Sequence, residues 1–140
     1  MTSLSILRVM AKTMIPFILI FALYVQFHGD YSPGGGFQAG VIFAAAFVLY
    51  ALVFGLSAVQ DLAKPRVIEV LIAVGVLIFA GTGIVTMLLG GAFLDYGTFT
   101  PDHPEHGQHY GLLIVEFGVG VTVASVMIAI FASFAGRGRA

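Results

Sequence analysis

The sequence predicts an all-α integral membrane protein, a bundle of four transmembrane helices with both termini in the cytoplasm. Three observations predict it. Hydrophobic residues make up 59% of the chain and charged residues 9%, with a mean hydropathy of +1.04, whereas soluble domains carry about 25% charged residues. Four apolar stretches, near 5–27, 37–59, 67–89 and 110–134, each reach the roughly 20 residues that cross a bilayer. Finally, Lys and Arg segregate completely. Arg8 and Lys12 lie near the N-terminus, Lys64 and Arg66 in the second connection, and Arg137 and Arg139 in the tail, while the first and third connections have none. With four spans all three basic regions fall on one side, which the positive-inside rule makes cytoplasmic. Helices are the form in which a single membrane domain, here residues 1–140, satisfies its backbone in lipid.

Each element has its own justification. In the first span Arg8 and Lys12 share a helical face and can snorkel to the interface, and Pro16 is placed to kink the helix. No small-x-small cleavage site follows, so a retained span is expected rather than a signal peptide. The first connection, 28–36, is rich in turn formers. Ser32 suits an N-cap and Pro33 the first helical position, which would put Gly34, Gly35 and Gly36 in the first turn of the second span. Exposed N–H groups there can receive an anion or a neighbour's carboxylate; a close-packed turn serves equally. Gly34, Gly36 and Ala39 also fit a nucleotide-binding glycine pattern, but no strand precedes them.

The second span carries small residues at Gly36, Gly40 and Ala44, then Ala51 and Gly55; the third has Gly75, Thr82 and Thr86 on one face, plus Gly81 and Gly83; the fourth has Gly118, Thr122, Ser125 and Ala129 on one face. Such stripes let helix backbones approach closely, within the chain or against other subunits. Glu69, near the start of the third span, is expected to pair with Lys64 or Arg66 at the interface.

Glu116 is the only acidic residue well inside a span. An ionisable group at such depth is a functional hypothesis by default. Periodicity puts it on one face with His109, two turns nearer the outer side, so the two can form steps of an ion or proton path. A structural Glu that docks a neighbouring helix is the other reading. His103, His106 and His109, with Asp102 and Glu105, suggest a metal site in the third connection, 90–109. Pro104 and Gly107 are expected to break any helix aligning these groups, and only His28 or Asp30 stands elsewhere to close the coordination. His103 and His106 are thus weak candidates, and no metal or other cofactor is expected. With no cysteine, disulfides and thiolate sites are excluded. No basic stripe suggests nucleic acid, and no base–nucleophile pair suggests an enzyme.

Pro33-Gly34-Gly35-Gly36-Phe37-Gln38-Ala39-Gly40, following His28-Gly29, resembles the signature of the B-type subunits of multisubunit Mrp/Mnh-type Na⁺/H⁺ antiporters. Gly107-Gln108-His109-Tyr110-Gly111 and Val115-Glu116-Phe117-Gly118-Val119-Gly120 are similar to a second segment of that family. Length and span count fit as well, so the resemblance covers nearly the whole chain. Ala39 stands where many members have glycine. The resemblance implies a non-catalytic subunit of a complex that exchanges cytoplasmic Na⁺ for external H⁺ in a bacterial or archaeal plasma membrane. It implies other antiporter subunits as partners: two large proton-translocating subunits related to respiratory complex I, and several small ones. It leaves open whether this subunit lines a cation route or holds its neighbours. A self-sufficient homo-oligomeric transporter and a subunit of a membrane-bound hydrogenase-type complex are the alternatives.

Overall fold

A computed structural model of the chain describes residues 2–29 and 33–137. Asp30, Ser32 and Arg139, each used above, lie outside the described residues. The described residues form five α-helices and one 3₁₀ turn, with no strand among them. The helices are α1 (Thr2–Phe27), α2 (Gly36–Phe54), α3 (Leu56–Leu62), α4 (Pro65–Leu88) and α5 (Pro104–Arg137), with the 3₁₀ turn at Tyr96–Phe99. Four of them, all but α3, are long and apolar enough to cross a membrane.

Helix boundaries follow local chemistry, and several depart from the sequence-based expectation. Helix α1 continues through Pro16 without a break. Helix α2 starts at Gly36, not at Pro33. Gly35, its N-cap, has φ +118, a conformation that side chains disfavour, so the chain turns there and only the last glycine of the triplet is helical. The second span also ends early. Gly55 has φ +98, which stops α2 at Phe54 and makes 56–62 a separate short helix instead of span and loop. Pro65 then opens α4, where a missing N–H costs nothing.

The C-terminus of α4 is a Schellman cap. Gly90, at φ +92, donates its N–H to Met87 O at 3.1 Å, and Gly91 donates to Thr86 O at 3.1 Å. Helix α5 begins at Pro104, so neither Pro104 nor Gly107 breaks it. A proline at a helix start loses no hydrogen bond, and Gly107 is needed for a contact described below.

Helix α5 is the centre of the bundle. It packs extensively on α4 and on α2, while α1 packs mainly on α2. The order across the bundle is therefore α1, α2, α5, α4. The contacts are made by small residues. A Cβ added at Gly40 would lie 2.7 Å from Gly120 O and 3.1 Å from Ala124 N. One added at Gly75 would overlap the Thr122 hydroxyl and lie 2.6 Å from Gly118 O. The stripes on α2 and α4 thus bury against two different faces of the same helix. Ala44, Ile68 and Ile128 form a further small core, flanked by Phe47 and Ile72.

Large apolar side chains point mostly outward, including Phe17, Ile20, Leu52, Leu77 and Leu88. Lipid accepts such a surface at no cost, so close backbone packing, not apolar burial, must hold the helices together. Hydroxyls inside the spans are satisfied by their own helix: Thr82 donates to Ile78 O at 2.8 Å and Thr122 to Gly118 O at 2.9 Å. At the basic end of the bundle the Lys12 ammonium lies 5.6 Å from the Phe54 ring centroid, joining α1 to α2. Glu69 is exposed and forms no ion pair with Lys64 or Arg66 among the described residues. The start of α4 instead sets it on the rim of a cavity shared with Gln60, Phe131 and Ser133.

Candidate functional site

The two segments that stand out in the sequence, the glycine loop and the Glu116 region, meet at one end of the bundle. Helix α5 carries Glu116 three turns from its start and presents it to the junction of α1 and α2. The carboxylate seats on glycine backbone. A Cβ added at Gly29 would stand 2.5 and 2.8 Å from the two carboxylate oxygens, and one at Gly35 would stand 2.7 Å from Oε1. A Cβ at Gly36 would overlap the backbone carbonyl of Glu116 itself. Glu116 is half-buried, while Gly35 and Gly36 are fully buried.

This explains why three glycines in a row occur beside a membrane span. Gly35 turns the chain, Gly36 lets α2 meet α5 backbone to backbone, and Gly29 with Gly35 leaves room for a carboxylate. Gly34 packs against the end of α1, where an added Cβ would lie 3.1 Å from Val25 O. Phe37 and Gln38 are exposed, as is Pro33 in the loop. His28, half-buried at the end of α1, stacks on Tyr24 with ring centroids 4.1 Å apart.

His109 lies two turns before Glu116 on α5, about 10 Å along the axis. It is exposed, and its ring approaches that of Tyr110 at 5.8 Å. The flanking Gly107 and Gly111 have a separate task. An added Cβ at Gly107 would overlap Tyr96 O, and one at Gly111 would overlap the Tyr96 ring. Together they form the seat on which the 3₁₀ turn docks. Burial there pushes the Tyr96 phenol above its usual value of 10.0.

His103 and His106 are exposed, with ring centroids 5.8 Å apart, and His103 Nδ1 lies 3.8 Å from Glu105 Oε1. Among the described residues no three His, Asp or Glu side chains converge in a metal-binding group. His103 precedes α5 and His106 lies in its first turn, so spacing in the sequence does not become a common centre.

Two structural roles escaped the sequence reading. Thr86 is entirely buried. Its hydroxyl faces the carbonyls of Gly83 at 2.8 Å and Ala92 at 3.0 Å and accepts the Leu94 N–H at 3.0 Å. It thereby holds the 90–95 turn, where Leu94 adopts φ +62, an uncommon value for a residue with a side chain. The other role is that of Gln26, a polar residue at the end of α1 and 7% exposed. Its Oε1 would stand 2.6 Å from a Cβ at Gly120, so it reaches the crossing of α2 and α5. A lone glutamine in an apolar span was the available signal.

Comparison with known proteins bears on this arrangement. Residues 6–129 match a family described as "Domain related to MnhB subunit of Na+/H+ antiporter". The chain is also similar to proteins of Staphylococcus aureus strains Newman and JH1, each named "Putative antiporter subunit mnhB2". Each is 33% identical over 133 residues, covering 94% of this chain and 94% of the relative.

Proposed function

Given that this chain belongs to the family of MnhB-related subunits of Na⁺/H⁺ antiporters, a multi-pass component of the bacterial plasma membrane, we propose that it lines part of a cation or proton route through Glu116. The observation that carries this reading is the seat of the carboxylate. A structural glutamate could dock on any donor along a helix. Here Gly29 and Gly35 leave room for a group that is expensive to place in a membrane, and Gly36 lets its backbone approach. Half-burial leaves Glu116 open on one side, as an ion-handling group requires. The loop would fix the carboxylate while the assembled complex supplies the rest of the pathway. The seat is at the bundle end bearing His28 and His109, which would lie on its approach.

The chain would act with other antiporter subunits and not alone, as its relatives are named as subunits of an antiporter. Glu116→Gln in the assembled antiporter tests the role. The substitution keeps the shape and removes the charge. Na⁺-dependent proton release from everted vesicles should fall at least about tenfold, while the variant still co-purifies with its partners. Full transport by an assembled Gln variant would leave Glu116 a docking residue.

A further inference from the structure

We propose that a groove across α1, α2, α4 and α5 is the seat of a membrane-spanning helix from another subunit, and that Gln26 is its hydrogen-bonding anchor. This rests on the chain's place in a multisubunit antiporter; the groove adjoins the Glu116 seat, with Phe117 and Gly120 on its wall, but does not include Glu116. It encloses a cavity of about 290 Å³. Its floor is small, with Ala22 from α1, Gly40 from α2, and Gly120 and Ala124 from α5; Phe117 and Leu71 line its sides.

Gln26 lines the same cavity. It is 7% exposed, and its Nε2 has no hydrogen-bond acceptor. A buried amide N–H without a partner is costly, and more so where no water can reach it. The terminal torsion of glutamine is broad, so the amide can turn its N–H toward the cavity without moving α1. What fills the groove must therefore offer an acceptor. A lipid tail has none. The lining holds no charged residue, so a charged acceptor would lie opposite nothing that compensates it. The occupant is thus a helix with a neutral acceptor, a Ser or Thr hydroxyl or an Asn or Gln carbonyl, beside small residues. The glycine and alanine floor allows that helix to come close enough for the bond to form.

The test uses the complete antiporter in native membranes. A benzophenone-bearing phenylalanine analogue replaces Phe117, which is 49% exposed at the groove. Illumination should give an adduct with one other subunit of the complex, mapped by mass spectrometry to a spanning helix. Adding Gln26→Leu should lower the adduct yield about fivefold or more, with the amount and helicity of the protein in the membrane unchanged. Adducts with lipid only, adducts with a second copy of this chain, or an unchanged yield in the Gln26→Leu background would each overturn the proposal. A transport-competent Glu116→Gln variant would overturn the reading of Glu116 and leave this result untouched, so the two fail separately.

Discussion

Single residues in this protein are constrained by what touches them across helices. Thr86 is the clearest case, because one hydroxyl serves three backbone groups at the end of α4. Thr86→Val keeps the volume and removes the bonds. It should destabilise the folded protein by about 1–3 kcal/mol, the cost of leaving buried polar groups unpaired. A lowered melting temperature of the detergent-solubilised protein, with faster proteolysis in 90–95, would report it. Glu116 and the glycines around it follow the same logic. The acid could be picked out from its depth in an apolar run, and the glycine triplet from its cost beside a helix. Nothing local says that they touch. Glu116 stands far along the chain from Gly29, Gly35 and Gly36, and only the crossing of α2 with α5 brings them together. Gln26 was less legible still, since its importance lies in a missing partner.

At the level of helices, the bundle is held by places where a side chain cannot fit. Gly75 and Gly81 lie on the same helix and differ sharply. A Cβ at Gly75 would run into Thr122 and Gly118 of α5, whereas one at Gly81 would meet nothing within 4 Å. Gly75→Ala should therefore loosen the α4–α5 contact and cost about 1–3 kcal/mol or more. Gly81→Ala should be neutral or stabilise by about 0.4–1 kcal/mol, by restricting the unfolded chain. Thermal melts of the two variants in one detergent distinguish them. The sequence pattern put Gly75 on one face with Thr82 and Thr86 and left Gly81 off it, but could not say that this face meets α5. Prolines mislead in a related way. Pro104 is a helix breaker by composition and a helix starter in the fold, since the first turn has no bond for it to remove.

For the whole molecule, charge distribution makes a claim about orientation. Lys12, Lys64, Arg66 and Arg137 belong to one end of the bundle, and the connections at the other end carry no Lys or Arg. We expect the basic end to face the cytoplasm. The chain has no cysteine, so single introduced cysteines give clean readouts. Glu105→Cys should react with a membrane-impermeant maleimide in intact cells, and Asp61→Cys only after permeabilisation. The reverse pattern would invert the topology and move the Glu116 seat to the cytoplasmic side.

The division between sequence and tertiary structure follows from the solvent. A bilayer demands long apolar helices with satisfied backbones, so fold class, number of spans and segregation of basic residues are all written in composition and order. Family membership is legible for the same reason, since its motifs are local strings. What lipid does not specify is which helix face meets which, because apolar surface gains nothing by turning inward. That choice is made by close steric fit among glycines, alanines and hydroxyls distant in the chain. Tertiary structure alone therefore decided that α5 sits between α2 and α4, that Gly107 and Gly111 seat Tyr96, and that the glycine loop closes around Glu116.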